Sequence, residues 1–132
     1  NIIAWIKSRD TGFYSIEYSY REGGHSKQKN FNPDFFIKTK HNNTIYYLVI
    51  EIKEDKDDSV ENCAKYKYGK DHFELLNEVM EKQGINERYI FHFLSPNGYD
   101  AFFTYLRDAR LFESQDKFRC ELENVLEKRT II

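Results

Sequence analysis

The sequence predicts a mixed α/β domain: a three-stranded antiparallel meander, a crossover helix, a parallel fourth strand and two C-terminal helices. Three observations lead there. Residues 32–53 hold two β-branched and aromatic runs around a polar turn, which is a hairpin signal. Residues 59–82 repeat apolar side chains at helical spacing, and 88–94 form a further apolar run. A strand, a helix and a strand in that order make a crossover unit, so the last of the three runs parallel to the first.

The elements follow in chain order. Residues 1–9 are short and partly apolar (Ile2, Ile3, Trp5, Ile6) and read as the tail of a helix whose body is absent. The chain starts with Asn rather than Met, as expected of a piece of a longer protein. Asp10-Thr11-Gly12 is a turn. Residues 13–20 alternate, with Tyr14, Ile16, Tyr18 and Tyr20 on one face and Ser15, Glu17 and Ser19 on the other, as in a half-buried strand. Residues 21–30 read as a polar loop carrying Arg21, His25, Lys27 and Lys29. Pro33 opens the second strand, where a missing N–H is tolerated. Asn42-Asn43 suits a tight turn, because Asn accepts a left-handed backbone. Residues 45–52 are almost continuously apolar, as in a central strand covered on both faces.

After that strand comes an acidic loop of Glu54, Asp55, Asp57, Asp58 and Glu61, with Lys56 alone opposing it. Asp58 with Glu61 three residues on matches a capping box. The helix over 59–82 has Val60, Ala64, Tyr68, Leu75, Leu76, Val79 and Met80 as its apolar stripe, with Asn62, Lys65, Lys67 and Lys70 outside it. Gly84 marks its stop. In the run at 88–94, His92 is expected to be a packed or edge histidine and not a ligand. Residues 99–110 and 114–129 are two amphipathic helices, the second with Phe118, Leu122, Val125 and Leu126 as its stripe.

Composition bounds the function. A chain of 132 residues is one domain with one core. A net charge of −2 argues against a broadly basic nucleic-acid binder and leaves room for a local basic patch. Cys63 and Cys120 lack partners at metal-ligand spacing and read as reduced core thiols, which with no signal peptide points to the cytoplasm. No apolar run reaches membrane length, and no Gly-rich phosphate loop is present to bind ATP.

The chemistry sits in the hairpin. If Lys40 faces Ile45, then Asp34 stands opposite Glu51, and Lys53 shares the sheet face of Glu51. Like charges in that position repel, so the arrangement needs a reason. A hard divalent cation such as Mg²⁺ supplies one, because it takes oxygen ligands from one or two carboxylates. Asp34 and Glu51 would offer carboxylates, Ile52 a backbone carbonyl, and Lys53 an ammonium to position an attacking water. Solvated strand carboxylates with Lys53 paired to one of them are the plainer alternative.

Pro33-Asp34 followed by Glu51-Ile52-Lys53 resembles the signature of the PD-(D/E)xK nuclease superfamily. The flanking residues 31–35 and 47–53, with Trp5-Ile6-Lys7 ahead of them, resemble the C-terminal endonuclease domain of type III restriction Res subunits and related helicase–nuclease proteins. The similarity spans Trp5 to Leu106, and the hairpin carries its specific residues. It implies a restriction-endonuclease-like core and Mg²⁺-dependent hydrolysis of DNA, with Mn²⁺ as a substitute metal. It also implies a prokaryotic restriction-modification setting, a helicase or translocase segment in the same full-length chain, and a modification subunit as partner. Glu17 and Lys65 are ancillary candidates for the site, and Arg21, His25, Lys27 and Lys29 are candidates for DNA contact. Many relatives carry Gly where this chain has Glu54. That difference, and the missing leading helix with its ancillary acidic ligand, keep open a second reading: a catalytically silent nuclease-fold module for nucleic-acid binding or assembly.

Overall fold

The computed structural model describes residues 2–7 (backbone only), 15–112 and 117–130. The strands are β1 (Ile2–Lys7), β2 (Ile16–Glu22), β3 (His25–Phe31), β4 (Phe35–His41), β5 (Thr44–Ile52) and β6 (Glu87–Leu94). The helices are α1 (Val60–Lys82), α2 (Tyr99–Arg107) and α3 (Glu121–Thr130). Four strands form a sheet in the order β1-β4-β5-β6, and β2-β3 form a separate two-stranded sheet. The domain is a mixed α/β fold. Within the main sheet β1, β4 and β5 are antiparallel, and β6 joins β5 in parallel across the α1 crossover.

Two sequence expectations change here. The residues read as a helix tail are β1, paired antiparallel to β4 from Lys7↔Phe35 to Ile2↔Thr39. The first strand of the antiparallel trio is therefore β1, and the run expected to fill that role is β2. The supposed loop at 21–30 is largely β3. Gly23 and Gly24, at φ +59° and +81°, make a two-residue turn, and Glu22 faces His25 across it. Polar residues can form this strand because it is half of a two-stranded ribbon whose outer side meets water. The expected turn at 10–12 and positions 13 and 14, where the first alternating run was expected to begin, lie outside the described residues.

The central hairpin follows the expected register. Lys40 faces Ile45 and Phe35 faces Ile50, around Asn42 and Asn43 at φ 49° and 67°. Two consecutive left-handed residues give the turn whose twist matches the strands it joins.

α1 starts one residue late against the capping-box expectation. Its N-cap is Ser59, whose Oγ accepts from the Asn62 amide, while Asp58 pairs with Arg129 at 2.9 Å. Its buried stripe is Asn62, Tyr66, Gly69 and Phe73, not the aliphatic one expected. Val60, Tyr68, Leu75 and Val79 are exposed. The two stripes lie on different sides of one helix, and the aromatic one wins because it meets an aromatic sheet. Phe73 stacks on Tyr89 and Phe91, and Tyr66 packs edge-on against Phe93. Gly69 permits this approach: a Cβ there would lie 2.6 Å from the Phe91 ring.

α2 and the segment before α3 cover part of the opposite sheet face, where Phe102 and Phe118 pack edge-on against His92. α3 begins at Glu121, later than the periodicity predicted. Glu123 folds back so that its Oε1 accepts from the Cys120 amide and its Oε2 lies 3.0 Å from His92 Nδ1. Glu123 is thus buried and Val125 exposed, against the expected stripe. His92 is packed, as expected. Among the described residues no helix is long and apolar enough to cross a membrane. Cys63 and Cys120 are free thiols.

Candidate functional site

The site forms where β4 begins and β5 ends. Asp34 precedes the first paired residue of β4, so no strand backbone is available there to serve the Ile52 amide. The Asp34 carboxylate takes that role, with Oδ2 accepting from Ile52 N–H at 2.8 Å. This bond fixes Asp34 against the end of β5, one residue from Glu51. Alternation along β5 turns Glu51 toward the α1 face, together with Val49 and Lys53. Glu51 is buried at 6% exposure, and its Oε1 has no hydrogen-bond partner among the described residues. Its Oε2 lies 3.4 Å from Lys53 Nζ. Burial, reinforced by the Asp34 charge, pushes the Glu51 carboxyl up to about 7 from an ordinary 4.5. Lys53 and Lys65 act in the opposite direction and do not offset it.

α1 supplies the other wall. Lys65 sits beside Lys53 and Glu51, and burial first, then the Lys53 charge, lowers its ammonium below the ordinary lysine range. Its Nζ lies 5.6 Å from the Tyr18 ring centre and 5.8 Å from that of Phe31. These rings belong to the two-stranded ribbon, which is how β2 and β3 come to border the site. Tyr18 donates to Glu61 Oε2 at 2.5 Å, and this bond holds the Glu61 carboxyl below its usual range. Burial raises the Tyr18 phenol. Lys29 Nζ reaches the same Glu61 oxygen at 3.5 Å. We expect Tyr18→Phe to cost about 1.5–3 kcal/mol in chemical denaturation, the worth of a hydrogen bond to a charged acceptor.

The predicted residues thus separate into two groups. Asp34, Glu51, Lys53 and Lys65 converge, and Ile52 contributes its amide to the same corner while its carbonyl closes β5. Lys27 and Lys29 share the Tyr18 face of the ribbon, each about 6 Å from the Tyr20 ring centre (6.0 and 5.9 Å). Lys27 also pairs with Glu22 at 3.1 Å. His25 lies farther along that face at the exposed turn, away from the cluster. Glu17 and Arg21 occupy the other face, where Glu17 bonds Gln28, and neither joins the cluster. Sequence reading left out Tyr18 and Glu61 as site residues. The signal existed in part: Tyr18 was on the inward face, and Glu61 is one turn from Lys65 on α1.

The donor set suits a hard cation. Two carboxylates meet, and one buried oxygen, Glu51 Oε1, has no hydrogen-bond partner among the described residues. A buried, unpaired carboxylate oxygen is costly, and a divalent ion is a partner of the right charge and hardness. Among the described residues no group of three or more His, Cys, Asp or Glu side chains gathers at one point, so a cation here would draw on two carboxylates and complete its shell with backbone oxygen and water. The acidic loop is partly neutralised by α3 and the turn before α2: Asp58 pairs with Arg129, and Asp55 accepts from the Asn97 amide at 3.1 Å. No protein-family model matches this chain, and no curated protein or solved structure matches it at a significant level.

Proposed function

We propose that this domain is a divalent-metal-dependent endonuclease of PD-(D/E)xK type that hydrolyses DNA phosphodiester bonds, working as part of a restriction enzyme like the type III Res subunits. The observation that carries the reading is the convergence of Asp34 and the buried Glu51, one of whose oxygens is unpartnered among the described residues, beside Lys53. Asp34 and Glu51 would hold Mg²⁺ or Mn²⁺, with the Ile52 carbonyl as a further oxygen. When bound, the cation supplies Lewis-acid polarisation of the phosphate and of a water. Lys53 orients the attacking water and balances the negative charge that grows on phosphorus-bound oxygen. Lys65, its ammonium disfavoured by burial, would accept a proton from that water in its neutral form. The water gives up a proton to the neutral lysine and adds to phosphorus, the P–O bond to one deoxyribose oxygen breaks, and a proton passes to that departing oxygen. Lys29 and Lys27 extend the positive surface from the cluster along the ribbon and serve as phosphate contacts that position the strand. Substrate recruitment and ATP-driven translocation would belong to other segments and subunits, and a net charge of −2 is compatible with recruitment lying elsewhere.

The test is cleavage of supercoiled plasmid in Mg²⁺ or Mn²⁺. Lys53→Ala and Asp34→Ala are expected to abolish it, while Glu17→Ala, outside the cluster, leaves it intact. Cleavage that survives both of the first two substitutions would refute the site. DNA binding without cleavage in the parent protein would favour the silent-module reading, for which Glu54 beside the signature lysine is the motivating feature.

A further inference from the structure

Lys65 lacks the partner that its place on α1 offers. Glu61 precedes it by four residues on the same helix. At that spacing, with the acid on the N-terminal side, a carboxylate and an ammonium meet most favourably. Glu61 and Lys65 nevertheless form no ion pair, and no other carboxylate bonds Lys65 among the described residues. The Glu61 carboxylate is turned onto the ribbon instead. Its Oε2 accepts from the Tyr18 hydroxyl at 2.5 Å and lies 3.5 Å from Lys29 Nζ.

Of these two holds, Tyr18 is the firm one. It is buried, stacked on Tyr20 and packed edge-on against Phe31, so its hydroxyl has a fixed place. Lys29 is exposed and reaches the oxygen at a longer distance. The same Tyr18 ring and that of Phe31 lie near Lys65 Nζ, at 5.6 and 5.8 Å from their centres. Ring faces attract a cation and leave it without the strong acceptor that a carboxylate is.

We propose that Tyr18 is a positioning residue: by holding the Glu61 carboxylate on the ribbon, it keeps the Lys65 amine unpaired and beside Lys53 and Glu51. The inference rests on the endonuclease reading, in which Lys65 takes a proton from the attacking water. A lysine bonded to Glu61 would be held as its ammonium, which has three donors and no lone pair, and could accept nothing. The hydroxyl therefore acts at one remove, through Glu61, on the group that handles the proton. It also explains why a buried position in an aromatic cluster carries Tyr: Phe would fill the same space and leave Glu61 free to swing to Lys65.

The test is plasmid cleavage in Mg²⁺ with a double-variant cycle. Tyr18→Phe is expected to lower kcat about tenfold at unchanged KM, because the freed carboxylate captures Lys65 in a charge-assisted hydrogen bond. Adding Glu61→Gln removes the captor and should return kcat to within about twofold of the parent, although the double variant remains less stable. A purely structural role for Tyr18 predicts a double variant at least as slow as Tyr18→Phe, and that result would overturn the inference. So would undiminished kcat in Tyr18→Phe while Lys53→Ala is inactive, an outcome that leaves the endonuclease reading standing. Cleavage that survives both Lys53→Ala and Asp34→Ala would instead remove that reading. A crystal structure of Tyr18→Phe decides the geometry whether or not the protein cleaves: Lys65 Nζ is expected within about 4 Å of the Glu61 carboxylate, and an Nζ still set over the two rings would overturn the inference.

Discussion

Glu51→Gln is expected to eliminate metal-dependent cleavage and, in the same molecule, to stabilise the metal-free protein at alkaline pH. The first effect follows from removing one of two anionic ligands, and a fall of about 100-fold or more is expected for losing so central a charge. The second follows from burial. The folded carboxyl titrates at about 7 and the unfolded one near 4.5. Between those values the folded chain binds more protons than the unfolded chain, so this group's contribution to stability falls as pH rises. The contribution is fully present below about 4.5 and lost by the time pH has passed about 7. A shift of that size corresponds to about 3 kcal/mol. Glutamine keeps the shape without the charge. Urea denaturation in the presence of a chelator should therefore show the variant and parent close at pH 5 and the variant ahead by about 3 kcal/mol at pH 8. Saturating Mg²⁺ should restore the parent at pH 8 and do nothing for the variant. A variant that loses stability at pH 8 would mean that the Glu51 charge is already well satisfied by Lys53.

The second large effect concerns the helix that walls the site. Phe73→Ala is expected to cost about 3–5 kcal/mol, the range for a buried aromatic truncated in a packed core. Phe73 is 1% exposed and stacks on two rings of β6. Leu75→Ala is expected to cost under about 0.5 kcal/mol, because Leu75 is 63% exposed. Equilibrium denaturation of the two variants settles which stripe of α1 is the core. Equal costs would contradict the helix orientation and, with it, the position of Lys65.

That contrast shows where sequence reading reached its limit. Hydrophobic periodicity located α1 well, from Val60 to Lys82, but the helix carries two apolar stripes about a third of a turn apart. Counting apolar residues favours the aliphatic stripe. Burial follows Tyr66 and Phe73, whose rings cover more area and meet the aromatic residues of β6. β1 and β3 were missed for different reasons. β1 is six residues without alternation, and its partner β4 lies far along the chain. β3 is polar because its ribbon has a wet side, so its composition is that of a loop. The central hairpin was legible because its information is local. Asn42 and Asn43 fix the turn, the turn fixes the register, and the register brings Asp34 to Glu51. Lys65 entered as a candidate through the family resemblance, in which polar or basic residues of this helix border the site. The partners Tyr18 and Glu61 required the tertiary docking of ribbon on helix, which no local pattern encodes.

The central claim is that Asp34 and Glu51 together hold one divalent cation. Paramagnetic broadening by substoichiometric Mn²⁺ tests it directly in the labelled protein. The account predicts that broadening centres on the amides of Asp34, Glu51, Ile52 and Lys53, and that it disappears in Asp34→Ala and in Glu51→Gln. Broadening centred on the acidic loop at Glu54, Asp55 and Asp57, unchanged in either variant, would contradict it.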